Sequence, residues 1–170
     1  MPRPTIAKRK RVSSPPQLVV DLETPAALVD LDRLAANLDR MAAYCVLHGM
    51  SLRPHVKTHK SPRIAAEQLR LGAVGLTCAT PRELEVMQVT CDDLLLAYPP
   101  VGAAKLRRVL ALPAELRLTV ALDSMAALEP LAEAADAARR EVGVYVEVDV
   151  GMRRVGVPSV ADAVAIARRV

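Results

Sequence analysis

The sequence predicts an α/β fold built on a parallel sheet, and three observations carry that prediction. From residue 26 onward, short apolar runs alternate with helical segments about every two dozen residues, and such alternation means parallel strands covered by helices. No G-x-G-x-x-G follows the first strand, which counts against a doubly wound dinucleotide-binding sheet. In three strands the period-two alternation sends apolar side chains to one face and polar ones to the other. The polar residues collect at strand C-terminal ends, where barrel enzymes build active sites. The predicted architecture is a parallel (β/α)8 TIM-type barrel. A whole barrel takes about 250 residues, so a chain of 170 is expected to be incomplete, holding about the first five βα units. It is read as a fragment or truncated product.

The elements follow in order. Ala26–Asp30 is a short apolar strand, and 31–47 is a helix with Leu31, Leu34, Leu38 and Met41 at helical spacing. Leu52–Val56 is the next strand. Ser61-Pro62 supplies a helix N-cap with proline at the first position, and Gly72 stops that helix. Val74–Cys78 is a strand, and Thr80-Pro81-Arg82-Glu83 is a capping box that assigns Glu83 to the helix and not to chemistry. Strands at 94–97, 116–122 and 144–148 follow, separated or succeeded by helices at about 102–112, 124–140 and 159–169.

Composition narrows the class. The chain is 52% hydrophobic with three tyrosines and no Phe or Trp, so its core must be aliphatic. No apolar run reaches the roughly 18 residues a membrane span needs, and no secretory signal follows the basic N-terminus. The net charge of +4 owes much to Lys8-Arg9-Lys10-Arg11. Prolines surround this block and base-stacking aromatics are missing, so residues 1–17 are read as a disordered basic tail and not a nucleic-acid site. Residues 18–170 form the barrel portion. Cys45, Cys78 and Cys91 are widely spaced without a C-x-x-C and read as buried thiols of a cytoplasmic protein.

The chemistry concentrates in Arg53-Pro54-His55-Val56-Lys57-Thr58-His59-Lys60. Like charges make an amine easier to hold neutral, and a neutral lysine amine is what Schiff-base chemistry with a carbonyl requires. A solvated or phosphate-binding cationic surface is the bland alternative. Alternation turns Leu52, Pro54 and Val56 toward the helices and Arg53, His55 and Lys57 into the barrel. The same rule turns Thr119, Ala121 and Asp123 inward, and likewise Tyr145, Glu147 and Asp149. Lys60, beyond the strand end beside the Ser61 cap, is expected in solvent. His55 could tune Lys57 or sit as a core histidine, and Asp123 could cap the helix that follows it. A metal-binding histidine pair within this chain is not expected.

A second segment, Glu147-Val148-Asp149-Val150-Gly151-Met152-Arg153-Arg154-Val155-Gly156-Val157, ends the last strand. Together with the lysine motif it resembles the alanine-racemase-like, fold-type III pyridoxal-phosphate enzymes. The resemblance runs from about residue 18 to the end and is closer to the D-threonine aldolase and D-serine dehydratase branch. It implies pyridoxal 5'-phosphate held by Lys57, with Arg154 at the cofactor's phenolic oxygen and His55 beside the lysine. It further implies a lyase acting on small D-configured β-hydroxy amino acids, homodimeric when complete, with no nucleic-acid or membrane partner. A divalent metal polarising the substrate hydroxyl is implied too, with its ligands outside this chain, and the 170 residues alone are expected to be inactive. An amino-acid racemase and a non-catalytic pyridoxal-phosphate carrier are the rival readings.

Overall fold

The computed structural model describes residues 18–170; the expected tail at 1–17 lies outside them. Four strands, β1 (Leu76–Cys78), β2 (Asp93–Leu96), β3 (Arg117–Leu122) and β4 (Gly143–Val146), form one parallel sheet in sequential order. Helices α1 (Leu31–Leu47) and α2 (Pro62–Arg70) precede it. Between and after the strands come α3 (Pro81–Met87), α4 (Ala103–Leu110), α5 (Met125–Ala138) and α6 (Val160–Arg169).

Local chemistry sets the helix starts. The side chains of Asp30, Ser61, Thr80 and Ser159 each accept the backbone N–H three residues on, satisfying a donor the first turn leaves free. Pro62 and Pro81 occupy first-turn positions, where a missing N–H costs nothing.

Register decides which face is buried. Leu76, Leu94 and Leu118 lie abreast, and so do Cys78, Leu96, Val120 and Val144. Both rows belong to one core cluster with Leu84 and Met87 of α3, Leu106 and Val109 of α4, Leu128 and Leu131 of α5, and Ile166 of α6. Each buried aliphatic side chain contributes about 1.5–3 kcal/mol, so this Phe- and Trp-free core gains stability from many modest increments. The intervening row, Thr77, Leu95, Thr119 and Gly143, faces the other way. Helices on a single face make this a barrel wall, since a doubly wound sheet carries them on both. Cys45, Cys78 and Cys91 are free and buried, and burial pushes the Cys78 thiol up to about 12.

Two of the expected strands are corrected. Ala26–Asp30 is not a strand: Leu28 and Val29 are exposed and Asp30 is spent on capping α1. Leu52–Val56 runs extended beside β1 but reduces to one bridge, His55 with Thr77, plus bonds from Val74 N to Leu52 O and Thr77 N to Pro54 O. Pro54 has no N–H to give, and a 3-10 turn begins at once at Val56. The five expected βα units are therefore four paired strands and one extended edge segment. The expected facing of that segment is borne out. Val56 is fully buried in the core, and Leu52 and Pro54 line a cavity with Leu38, Met41 and Leu71 of the helical layer.

Candidate active site

Lys57 sits in the 3-10 turn Val56–Thr58, just past the C-terminal end of the edge segment. Three anchors fix its backbone. The fully buried Val56 plugs the turn into the core, and its carbonyl accepts the N–H groups of both His59 (3.2 Å) and Lys60 (2.7 Å). His55 Nδ1 accepts the Lys57 N–H at 3.3 Å. The Lys57 side chain is exposed, and no hydrogen bond or ion pair engages its amine among the described residues. His55 is half-buried; burial first and the Lys57 charge second hold its imidazole below the ordinary value, against an opposing pull from Glu83. A neutral imidazole suits the bond to Lys57 N, since Nδ1 must offer a lone pair there.

Lys60 is exposed as expected, but its amine is also tied down. Its Nζ lies 2.5 Å from Oε1 of Glu83, a side chain only 6% exposed. The other Glu83 oxygen accepts the Ala79 N–H at 2.7 Å, at the C-terminal end of β1. Glu83 therefore does more than open α3: a capping box would have used its carboxylate on Thr80 N. Burial raises the Glu83 carboxyl, but hydrogen bonds from Lys60 and Ala79 and the charges of Lys60 and His55 outweigh it, leaving it below its ordinary value. Lys60 itself has φ 49°, left-handed for a side-chain-bearing residue. His59 turns away from the site: Nδ1 accepts Ser61 N at 3.0 Å, while Nε2 is buried without a partner among the described residues, as is Oε1 of Gln68. Burial lowers its imidazole, with the neighbouring Gln68 side chain and the Ser61 N–H opposing.

Arg53 points inward as expected but serves the opposite end of the sheet. Its Nη1 meets Oδ1 of Asp93, the first residue of β2, at 2.7 Å, and Arg117 approaches the other oxygen at 3.1 Å. This is a structural rivet at the N-terminal edge, away from the strand ends that carry Lys57 and Arg154.

Arg154 stands in the loop after β4. That loop is built by Asp149, whose Oδ1 accepts the N–H groups of Gly151 (2.9 Å) and Arg153 (3.0 Å). Those bonds hold the Asp149 carboxyl below its usual range. Asp123 does not cap α5, whose N-cap Ser124 makes no side-chain bond; its Oδ2 accepts Gly156 N at 3.3 Å. Gly156 has φ 105°, and a Cβ there would meet Asp149 N at 2.4 Å, so only glycine lets the loop fold back to bridge Val157 with Val148. Arg154, Glu147, Asp149 and Met152 line an open cavity of about 210 Å³. Glu147 Oε2 is buried there without a partner among the described residues. Burial and the Asp123 charge raise the Glu147 carboxyl, and Arg154 pulls it back.

Lys57 and Arg154 thus share the C-terminal side of the sheet but stand at opposite ends of its strand row, one before β1 and one after β4. No contact joins them among the described residues. His55 adjoins Lys57 directly. Glu83 and Glu147 are the residues that sequence reasoning undervalued. The capping box flagged Glu83 for a different job, and only the inward register of Glu147 hinted at the cavity.

Four parallel strands with helices on one face and a lysine just past the strand ends form part of a parallel α/β barrel wall, and comparison with known proteins agrees. Residues 29–170 match the family model "Alanine racemase, N-terminal domain", and the chain belongs to that family. It is 36% identical over 149 residues to a D-threonine aldolase of Arthrobacter sp, covering 87% of this chain and 39% of that protein. It is 37% identical over 143 residues to a D-threo-3-hydroxyaspartate dehydratase of Delftia sp. (strain HT23), covering 82% and 37%. The crystal structure of D-threonine aldolase from Filomicrobium marinum superposes with a TM-score of 0.84 at 36% identity, over 88% of this chain and 41% of that one. The chain therefore spans about two fifths of the length of these relatives.

Proposed function

We propose that the complete protein is a pyridoxal-phosphate-dependent lyase acting on D-configured β-hydroxy amino acids, with Lys57 holding the cofactor. The observation that carries this reading is the Lys57 turn. It presents one exposed amine, unengaged among the described residues, on a backbone fixed by a buried plug and two carbonyl bonds. The donor set fits the cofactor. When bound, pyridoxal 5'-phosphate supplies an aldehyde for a lysine amine and a ring that accepts electron density from the substrate. Lys57 would hold the cofactor through its aldehyde, and its amine would take up and give back protons at Nζ. His55 keeps the Lys57 backbone in place and stays neutral beside it. Arg154, a planar donor that never loses its charge, suits the phenolic oxygen. The Glu147 oxygen beside it, without a partner among the described residues, leaves polar capacity in the cavity and supports the reading.

The substrate class follows from relatives named as D-threonine aldolase, 3-hydroxy-D-aspartate aldolase and D-threo-3-hydroxyaspartate dehydratase. Among the described residues no group of three or more His, Cys, Asp or Glu could hold a metal ion, so no step is assigned to one. No helix among the described residues is long and apolar enough to cross a membrane. A cytoplasmic homodimer with small-molecule substrates and no nucleic-acid or membrane partner completes the reading.

The test uses the complete protein with D-threonine. Carbon–carbon cleavage yields glycine and acetaldehyde; loss of the hydroxyl yields 2-oxobutanoate and ammonia. Either product, together with borohydride-fixed cofactor on Lys57, supports the proposal. Inversion at Cα as the sole reaction, or fixed cofactor on Lys105 with Lys57 clean, would overturn it.

A further inference from the structure

Lys57 and Lys60 lie three residues apart in one turn, and both side chains can reach the C-terminal side of the sheet. Among the described residues only Lys60 has a carboxylate partner. We infer that Glu83 decides which lysine reacts, by holding the Lys60 amine and leaving Lys57 as the nucleophile. This rests on the reading of Lys57 given above and names a positioning residue for that site.

Three observations support it. The Lys60 Nζ to Glu83 Oε1 distance is 2.5 Å, and the Glu83 side chain is 6% exposed while the Lys60 side chain is 66% exposed. Lys60 is therefore not buried for packing; it reaches in toward the acid. Its φ of 49° is a conformation that a lysine adopts only when its surroundings enforce it. And Glu83 is itself pinned, since its second oxygen takes the Ala79 N–H at 2.7 Å, so the acid cannot follow a departing amine. If Lys60 left to attack a carbonyl, it would strand a buried carboxylate, and an uncompensated buried charge is strongly destabilising. Lys57 bears no such penalty.

The chemistry at stake is condensation. A neutral lysine Nζ adds to the aldehyde carbon, sheds two protons and expels the carbonyl oxygen as water, leaving a C=N bond. Borohydride then delivers hydride to that carbon and water protonates the nitrogen, leaving a secondary amine that survives digestion. Without Glu83 the same steps are open to Lys60.

The experiment is reductive trapping of the complete protein with pyridoxal phosphate and borohydride, followed by peptide mapping that resolves Lys57, Lys60 and Lys105. In the unaltered protein the label should fall on Lys57, with Lys60 labelled less than the exposed Lys105. In Glu83→Gln the label on Lys60 should rise about tenfold or more, because the buried carboxylate no longer holds the amine. A purely structural role for Glu83 would lower labelling at Lys57 without moving it to Lys60. Lys57→Ala, which keeps the pair intact, guards against a Glu83 variant that fails to fold: Lys60 should remain less labelled than Lys105. Lys60 labelled as readily as Lys105 in that background, or Glu83→Gln folding with Lys60 still unlabelled, would overturn the inference. Label missing from Lys57 in the unaltered protein would instead refute the function proposed above, so the two failures are distinct.

Discussion

Replacing Gly75 by alanine should destabilise the protein by about 4 kcal/mol, although Gly75 needs no glycine backbone angle and its methyl would be small. An ideal Cβ there stands 2.1 Å from Nη1 of Arg53, 2.7 Å from its Cζ and 2.8 Å from the Asp93 carbonyl oxygen. Carbon contacts settle at about 3.5–4.0 Å, so the guanidinium has to leave and the β1–β2 backbone has to shift. Displacing Arg53 forfeits its 2.7 Å bond to an Asp93 side chain only 10% exposed, at about 1.5–3 kcal/mol for a charged hydrogen bond. Arg117, still 3.1 Å from the other oxygen, prevents the larger penalty of a wholly unpaired buried charge. Forcing the strand past a backbone oxygen adds about 1–3 kcal/mol. Urea unfolding followed by far-ultraviolet circular dichroism suits a chain without tryptophan. The Arg53→Met background isolates the cause: there Gly75→Ala should lose the ion-pair share and cost about 1–3 kcal/mol, leaving only the backbone contact. A single-variant cost below about 1 kcal/mol, or strict additivity of the two substitutions, would refute the account.

Three further outcomes follow. Arg140 donates to the carbonyls of Leu110, Leu112, Pro113 and Leu116, stapling the end of α4 to the turn before β3. Arg140→Lys keeps the charge but not the planar fork, and should cost about 2 kcal/mol in the same unfolding assay. Glu147→Gln should stabilise the protein at neutral pH. The Glu147 carboxyl is raised in the fold, so the native state binds its proton more tightly and stability falls as pH climbs through the carboxylate range. Below that range both forms are protonated and the advantage should vanish; thermal melts at pH 4 and pH 7 check the sign. Gly156→Ala, barred by both its positive φ and the Asp149 backbone, should loosen the 149–157 loop, read as faster amide exchange there while β1–β3 amides stay protected.

Much of this was legible because it is written in local chemistry. Capping residues, first-turn prolines and Gly72 marked the helices nearly to the residue, and period-two alternation marked which strand faces meet the helices. The facing of Val56, Leu118, Val120 and Val144 followed from it. What alternation could not say is whether an apolar run finds hydrogen-bonding partners. Ala26–Asp30 reads like a strand but pairs with nothing among the described residues, and Pro54 lacks the donor that would have extended its segment into a ladder.

For the site the division is similar. By itself the sequence determined the family, the candidate lysine and the candidate arginine, because reactive groups recur in short motifs whose spacing follows strand and loop geometry. Tertiary structure alone decided the partners. It brought Glu83 of α3 to Lys60, sent Arg53 across Gly75 to Asp93, and drew Asp123 to the Gly156 loop. Each of these contacts joins residues 23 to 40 positions apart. Contacts at that separation have no sequence period to announce them and exist only once the strands are in register and burial has made an unpaired charge costly.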